Sequence, residues 1–416
     1  MGSGSETIRE TVEQLNDAGQ KLGVLVVRLY RPFDSVAFAK ALPASVKTIT
    51  VLDRTKEPGA IGEPLYIDVR SAIGDVMQEK TVRFENWPST YGGRYGLGSK
   101  EFTPAMVKAV FDNAMSGKPR NHFTVGIHDD VSQTSLEVES FELHHEGRKE
   151  CMFYGLGSDG TVGANKNSIK IIGDDTDFFA QGYFVYDSKK AGAMTVSHLR
   201  FGPGPIRSPY LCTKADFVAC HNFSFLEKYD MLASAKSGGV FLLAAPYGPE
   251  EIWDHIPDEV ARQIIAKRLR FYVIDAIKLA ADLGLGARIN TIMQTCFFAI
   301  SGVLDTDKAI EALKSAIRKS YGKKGEEVVQ ANGKAVDGAV DALCEVKVPA
   351  KPAGKSVMPP VVPPGAPEFV QKVTATIMAQ KGDRLPVSAM PDDGTWPTAT
   401  TQYEKRGVAI HVPEWI

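Results

Sequence analysis

The sequence predicts an α/β fold with two α/β domains, because strand-like and helix-like segments alternate along most of the chain. The strand-like segments are short β-branched or aromatic runs, such as Thr48–Leu52 and Phe217–Cys220. Between them lie segments with apolar residues at helical spacing, such as Thr306–Tyr321. Strands that alternate with helices indicate parallel sheets covered by helices.

Length and composition limit the function classes. A chain of 416 residues is too long for one ordinary core and predicts two or three domains. A net charge of −2 argues against nucleic acid or a membrane surface as the main partner, and no apolar run has the length of a membrane span. No signal peptide is recognisable. Five scattered cysteines without a C-x-x-C pair predict reduced thiols in the cytoplasm and no structural zinc or iron–sulfur site: Cys151, Cys212, Cys220, Cys296 and Cys344.

The first predicted domain covers residues 6–119. Residues 1–5, MGSGS, resemble a leader added by cloning and are excluded from the predicted fold. Helices are expected after Asp34-Ser35 and over Ala105–Met115, where polar or proline residues can begin a helix. The strands predicted in this domain are Gly23–Tyr30, Thr48–Leu52 and Leu65–Val69.

The second predicted domain covers residues 120–347. Arg270–Asp275 fits a helix by periodicity, but its β-rich residues favour a strand. Helices are expected over Pro257–Lys267, Thr291–Val303 and Thr306–Tyr321. The other predicted strands are His122–Ile127, Cys151–Tyr154, Ser168–Ile172, Tyr183–Val185, Met194–Phe201, Phe217–Cys220 and Val240–Ala244.

The third predicted part, residues 348–416, begins with a proline-rich strap. Six prolines within Val348–Gly365 indicate an extended segment without regular structure. One helix is expected over Pro367–Gln380, followed by a loop-rich end.

A glycine motif lies at the centre of the second domain. Gly155, Gly157 and Gly160 have the spacing G-x-G-x-x-G between an apolar run and a segment of small residues. Such a turn presents backbone N–H groups to a phosphate, although the same spacing also serves close packing of a strand and a helix. Neutral donors and cations surround it: Ser158, Thr161, Asn165, Asn167, Lys166, Lys170, Lys189 and Lys190.

Two nucleotide classes can be compared at this motif. The absence of G-K-[ST] disfavours a P-loop nucleotidase. An NAD site stays open, because Asp174, Asp175 and Asp177 follow at about the distance of a ribose-binding acid. Their position in a predicted turn, away from a strand end, weakens that interpretation.

The remaining polar residues favour structural roles. His144-His145 is expected on the solvated surface and His198 within a strand. Arg207 ends a rigid G-P-G-P-I-R turn and either only terminates it or faces an anion. Asn290, Gln294 and Cys296 lie in an apolar helix, where internal hydrogen bonds are expected. These residue types therefore predict a binding site, but no catalytic residue and no metal site.

Longer motifs resemble the pyruvate:ferredoxin (flavodoxin) oxidoreductase family, and the resemblance covers the chain after residue 5. The segments 53–69 and 92–104 resemble the family's second domain, which is similar to the transketolase C-terminal domain. The segments 153–173, 188–211 and 288–304 resemble its gamma-type domain. The segment 391–415 resembles its small Glu-Lys-Arg segment, here Glu404-Lys405-Arg406.

The resemblance implies a reaction and a role for the glycine motif. The family decarboxylates pyruvate oxidatively on thiamine diphosphate with Mg²⁺ and passes electrons through [4Fe–4S] clusters to ferredoxin or flavodoxin. Coenzyme A takes the acetyl group, and the gamma-type domain is the part associated with coenzyme A. The resemblance thereby implies these neighbours of coenzyme A: Gly155, Gly157, Ser158, Asp159, Gly160, Thr161, Asn165, Lys166, Asn167, Lys189 and Lys190.

The sequence departs from the family in what it lacks. It contains neither a GDG-type diphosphate motif nor cluster cysteines. The resemblance therefore implies a central fragment, inactive alone, whose partners are the remaining domains of the enzyme and a second copy in a homodimer. An NAD(P)-binding redox module and a purely structural assembly segment stay open as alternatives.

Overall fold

The computed structural model describes residues 2–157, 159–187, 193–286, 288–351, 356–404 and 413–415. The chain divides into two compact units. Unit 1 contains the described residues up to His144, with Arg207–Tyr210 and Lys381–Thr398. Unit 2 contains the other described residues. The predicted domain boundaries at 119/120 and 347/348 refer to the family's domains and stay a prediction.

Unit 1 is built on a three-stranded parallel sheet in the order β1-β2-β3. Its strands are β1 (Thr48–Asp53), β2 (Ser89–Arg94) and β3 (Phe123–Thr124). Its helices are α1 (Gly4–Asp17), α2 (Ser35–Lys40), α3 (Pro64–Glu79) and α4 (Pro104–Met115). Gly4 and Ser5, which the sequence analysis places outside the fold, begin α1 and are buried.

Two strand predictions in unit 1 are wrong. Leu65–Val69 lies in α3, because Pro64 begins a helix and a residue far earlier in the sequence caps its first N–H groups. The Asp53 carboxylate accepts hydrogen bonds from the N–H groups of Leu65 and Tyr66, each at 3.1 Å. Gly23–Tyr30 is irregular and joins neither described sheet, since strand propensity needs a neighbouring strand to pair with.

Unit 2 is built on a seven-stranded mixed sheet in the order β10-β9-β8-β7-β4-β6-β5. Strands β4, β7, β8 and β9 run parallel, whereas β5, β6 and β10 pair antiparallel. The strands are β4 (Lys149–Leu156), β5 (Phe179–Tyr186), β6 (Met194–Gly202), β7 (Ala215–Cys220), β8 (Ala235–Ala244), β9 (Arg270–Ile274) and β10 (Cys344–Val346).

Helices cover both faces of this sheet, which confirms the predicted α/β class. One apolar core includes Phe153 of β4 and packs under α5 (Thr161–Asp175), α7 (Ala276–Asp282), α8 (Asn290–Ser301), α9 (Thr306–Tyr321) and α10 (Glu326–Ala342). The other core includes Met152 and Tyr154 of the same strand and packs under α6 (Asp258–Ala266) and two single-turn helices. Alternate residues of β4 therefore serve opposite faces.

One strand prediction in unit 2 is wrong and an ambiguous one is confirmed. Ser168–Ile172 lies inside α5, whose buried residues recur at helical spacing: Thr161, Ala164, Asn165, Ser168, Ile171 and Ile172. Arg270–Ile274 is the strand β9, because it lies inside the sheet between β8 and β10 and its apolar side chains meet both cores. The predicted helix at 367–380 is a wide helical turn, Val370–Thr374, that continues into α11 (Ala375–Met378).

The connections after β4 and after β7 lead to opposite sides of the sheet, so the strand order switches between these two neighbouring strands. From the carboxyl end of β4 the chain enters α5 on one face, whereas from the neighbouring β7 it enters the single-turn helices Phe223–Glu227 and Met231–Ser234 on the other face. Connections that leave neighbouring parallel strands toward opposite faces open a crevice at the strand ends. The glycine motif lies at the end of β4, where this strand order places the crevice.

Helices long and apolar enough to cross a membrane do not occur among the described residues.

We expect Phe297→Ala to destabilise unit 2 by about 3–5 kcal/mol, the usual cost of removing a buried aromatic side chain. Phe297 is buried, and its ring centroid lies 5.1 Å from those of Phe153, Phe217 and Phe298. Hydrogen exchange of the β4 and β7 amides measures the effect. The control is Ile277→Ala, which alters an exposed side chain and is expected to change stability by less than about 0.5 kcal/mol. Equal protection in both variants would contradict the prediction.

Candidate functional site

The glycine motif forms a tight turn between β4 and α5. The Asp159 carboxylate accepts hydrogen bonds from the N–H groups of Leu156 and Thr161, both at 2.8 Å. The N–H group of Gly157 donates to the carbonyl oxygen of Ala193 at 2.8 Å. Asp159 therefore holds the end of the strand and the start of the helix together, and it occupies two of the N–H groups of the turn.

Packing and backbone conformation explain two of the three glycines. A Cβ atom on Gly155 would lie 2.4 Å from Oγ1 of Thr161, which is closer than a Cβ atom approaches a non-bonded atom. Gly160 precedes α5 with φ of +85°, in the left-handed region that favours glycine, and the side chain of Asn290 lies against it. The spacing of the motif is thus required for strand–helix packing whether or not a ligand binds.

The first turn of α5 retains donors for an anion. The N–H groups of the first turn of an α-helix have no partners within the helix, and here those of Val162 and Gly163 follow the one that Asp159 binds. The positive end of the dipole of this 15-residue helix lies at the same place. The turn can therefore bind a phosphate group at its helix end.

The predicted cations of α5 are exposed on the same helix. Lys166 and Lys170 are both exposed to solvent. The ammonium nitrogen of Lys166 lies 5.3 Å from the centroid of the Phe184 ring on β5. A cation–π contact at an exposed position contributes only about 0.5–1 kcal/mol, so Lys166 can leave this ring for a phosphate at modest cost.

The structure brings together part of the predicted site. Gly155, Gly157, Asp159, Gly160 and Thr161 form the turn and the start of α5. Asn165 is buried one helical turn beyond Thr161, and Asn167 is half-buried further along. Three predicted site residues, Ser158, Lys189 and Lys190, lie outside the described part of the chain, as do Lys405 and Arg406 of the Glu-Lys-Arg segment. The assignment of the site residues stays a prediction.

His221 is a buried residue of this site that the sequence analysis missed. It directly follows β7, and its Nδ1 lies 2.7 Å from Oγ1 of Thr161. Burial lowers the pKa of the His221 imidazole to about 4, although the nearby Asp159 carboxylate acts in the opposite direction. The ring is therefore neutral near pH 7. The signal available in the sequence was its place directly after the predicted strand Phe217–Cys220.

A buried polar seam joins α5 to α8 and α10. Gln294 donates from Nε2 to the carbonyl oxygen of Ala164 at 3.1 Å and to Oγ of Ser168 at 2.9 Å. The Thr291 hydroxyl donates to Oδ1 of Asn332 at 3.0 Å. The predicted internal hydrogen-bonding role of Gln294 is confirmed, and the seam fixes α5 behind the turn.

The aspartates considered as ribose-binding acids of an NAD site do not lie where such an acid is needed. Asp174 and Asp175 end α5, and Asp177 precedes β5, an edge strand separated from β4 by β6. In a dinucleotide-binding fold the ribose-binding acid follows the parallel strand next to the glycine motif. The geometry of this sheet does not fit that arrangement.

The described residues show no arrangement of side chains that would hold a metal ion or an iron–sulfur cluster. The five cysteines are free thiols, four of them buried, and burial raises the pKa of Cys220 and Cys296 to about 12. In the described ranges no group of three histidine, cysteine, aspartate or glutamate side chains is arranged to hold a metal ion. His198 also has a structural role, because its Nδ1 accepts a hydrogen bond from the N–H group of Cys212.

We expect Gly160→Ala to destabilise the chain by about 1–2 kcal/mol, because φ of +85° is unfavourable for a residue with a Cβ. Gly163→Ala is a matched control within the same helix start. No atom lies within 4 Å of a Cβ at Gly163, so alanine there is expected to stabilise the helix by about 0.5–1 kcal/mol. Urea unfolding measures both. A Gly160→Ala variant as stable as Gly163→Ala would show that the turn does not require the left-handed conformation.

We also expect stability to fall between about pH 6.5 and pH 4 because of His221. The folded imidazole has a lowered pKa, so the unfolded state binds the proton more readily; the stabilisation is complete above about pH 6.5 and is lost as the pH falls. The His221→Asn variant should therefore lose about 2 kcal/mol less than the unmodified chain between pH 7 and pH 4.5 in urea unfolding. Identical pH dependence in the two proteins would contradict this result.

Comparison with known proteins identifies the family of the chain. The family model described as "Pyruvate:ferredoxin oxidoreductase core domain II" matches residues 1–95, and that described as "Pyruvate ferredoxin/flavodoxin oxidoreductase" matches residues 150–342. The model named EKR, described as a domain of unknown function, matches residues 355–409. The two oxidoreductase models together match more than half of the chain.

Curated relatives agree with these matches. The chain is 56% identical to a putative pyruvate-flavodoxin oxidoreductase of Synechocystis and 55% identical to the pyruvate-flavodoxin oxidoreductase of Rhodospirillum rubrum. Each alignment covers 100% of this chain but 34% and 35% of the relative, respectively. The chain thus spans about a third of the length of the relatives that it matches.

Among solved structures, subunit PORC of the pyruvate oxidoreductase of Thermotoga maritima aligns with a TM-score of 0.40 and 17% identity. That alignment covers 49% of this chain and 100% of the subunit. The domain models and the relatives agree throughout, and the chain belongs to the pyruvate ferredoxin/flavodoxin oxidoreductase family.

Proposed function

We propose that this chain is the central part of an enzyme that oxidatively decarboxylates pyruvate with coenzyme A and passes the electrons to ferredoxin or flavodoxin. The observation that carries the proposal is the identity of 50–56% over the whole chain with relatives named pyruvate-flavodoxin or pyruvate:ferredoxin oxidoreductases, including those of Escherichia coli and Moorella thermoacetica. Its partners are then the remaining domains of the enzyme, a second copy in a homodimer, and the electron acceptor.

Within that enzyme, the role of this chain is to hold coenzyme A. Coenzyme A carries a pyrophosphate and a 3′-phosphate, which need N–H donors and cations. The helix end of the glycine turn supplies N–H groups and the positive end of a dipole, and Lys166 is exposed on the same helix. The crevice between the ends of β4 and β7 is where ligands bind in sheets of this kind.

The bond-breaking chemistry belongs to other parts of the enzyme. In this proposal the contribution of the chain is positional, because the glycine turn offers N–H donors and the positive end of a helix dipole. Holding the thiol of coenzyme A beside its reaction partner can lower a barrier by up to ~7–11 kcal/mol relative to reaction between free molecules. The chain alone is expected to turn over no pyruvate.

We expect isothermal titration calorimetry to show that coenzyme A binds the chain, and that Lys166→Ala weakens binding about fivefold by removing a charge from the phosphates. Lys170→Ala is the matched control, because Lys170 lies one turn further from the glycine turn on the same exposed side of α5. Unchanged affinity is expected for this control.

Other outcomes of the titration would decide against the proposal. Equal affinity of the Lys166→Ala variant and the unmodified chain would remove Lys166 from the site. Binding of NAD in place of coenzyme A would identify a nucleotide-binding redox module. Binding of neither molecule would refute a coenzyme A site within this chain and favour a structural role.

A further inference from the structure

His221 connects the two strands whose ends form the crevice. Its backbone N–H group donates to the carbonyl oxygen of Tyr154 at 2.8 Å, which extends the pairing of β7 with β4 by one residue. Its ring packs edge-on against Phe153, with centroids 6.3 Å apart. The side chain is only 5% exposed. The position of the imidazole is therefore fixed by the sheet itself.

The imidazole in turn fixes the first residue of α5. Nδ1 of His221 and Oγ1 of Thr161 are 2.7 Å apart, and Thr161 is 1% exposed. The N–H group of Thr161 is bound by Asp159, which also binds Leu156 at the end of β4. Hydrogen bonds thus form a closed circuit from β4 through the turn and the helix to β7 and back to β4.

Gly155 leaves the space that this circuit needs. Oγ1 of Thr161 lies where a side chain on Gly155 would begin, 2.4 Å from the position of its Cβ. The Thr161 hydroxyl therefore lies between the end of β4 and the His221 ring. The first glycine of the motif and His221, 66 residues apart in sequence, confine the same hydroxyl from two sides.

The circuit leaves two buried polar atoms unsatisfied. Within the described part of the chain, Nε2 of His221 and Nδ2 of Asn165 have no hydrogen-bond partner. An unsatisfied buried polar group costs about 1–3 kcal/mol. An apolar residue at position 221 would avoid this cost at Nε2 but would leave the buried Thr161 hydroxyl without its imidazole partner, so the contact with Thr161 is what the histidine supplies.

We propose that His221 is a positioning residue of the coenzyme A site, which through the Thr161 hydroxyl holds the first turn of α5 where its N–H groups bind phosphate. The inference rests on the proposed function, because it gives His221 a role in the proposed coenzyme A site. His221 itself is too deeply buried to touch the ligand. It determines instead the direction in which the N–H groups of Val162 and Gly163 point.

Two substitutions of nearly equal shape separate positioning from packing. In the His221→Asn variant an amide atom can occupy the place of Nδ1, whereas in His221→Leu a methyl group occupies it. Loss of one hydrogen bond should accelerate amide exchange at Thr161 and Ala164, whose N–H groups are hydrogen-bonded, about fivefold to tenfold in His221→Leu. His221→Asn should restore the slow rate, and the amides of β8 and β9 should be unchanged in both.

The same variants are titrated with coenzyme A. We expect His221→Leu to weaken binding about tenfold and His221→Asn to bind within about twofold of the unmodified chain, since a preorganised site avoids the cost of ordering the helix end on binding. Unchanged exchange and unchanged affinity in His221→Leu would overturn the inference while the proposed function stands. If the unmodified chain does not bind coenzyme A, the proposed function fails, and the exchange rates alone decide whether His221 orders the helix.

A second pair of variants covers the case in which His221→Leu does not fold. Thr161→Val keeps the shape of the side chain and removes the hydroxyl, whereas Thr161→Ser keeps the hydroxyl. The valine variant should show the faster exchange of the hydrogen-bonded Ala164 amide and the weaker binding, and the serine variant should not. Equal behaviour of the two would show that the hydroxyl does not connect the helix to His221.

Discussion

The Asp159 carboxylate binds the N–H groups of Leu156 and Thr161, and the arrangement of the site depends on this pair of hydrogen bonds. They place the end of β4 against the start of α5, which leaves no space for a side chain at Gly155. They also place a negative charge where a phosphate would lie. Repulsion between like charges then requires cations nearby, since N–H groups alone would have to overcome it. Lys166 is the described cation nearest in sequence that is exposed.

The order of the strands determines why this turn faces a crevice. The chain leaves β4 on one face of the sheet and leaves β7 on the other, so, as far as the described residues extend, neither of these two connections crosses the edge between them. The polar seam of Gln294 and Thr291 holds α5 from behind. A helix end fixed by these hydrogen bonds suits a site that holds a ligand in place, and this agrees with the proposed positional role of the chain.

The sequence predicted those parts of the fold that local patterns determine. The α/β class, β1, β9 and the helix α9 follow from periodicity and residue type. The predictions at Leu65–Val69 and Ser168–Ile172 are wrong because a five-residue run of mainly apolar residues can have the same composition in a strand and in a half-buried helix. What decides for α3 is Asp53, twelve residues before Leu65, whose carboxylate caps the helix. A short window cannot contain that interaction.

Because a short window cannot contain contacts between distant residues, the glycine turn was recognised from the sequence and His221 was missed. Gly155, Gly160 and Thr161 are neighbours in sequence, so their spacing alone indicates a strand–turn–helix. His221 reaches Thr161 only because β7 lies beside β4, and that adjacency is a property of the whole sheet. Its chemistry also depends on the fold, since burial keeps the imidazole neutral. In a parallel sheet, therefore, residues that directly follow each strand should be considered together before a role is assigned to any one of them, because their strand ends meet at one edge.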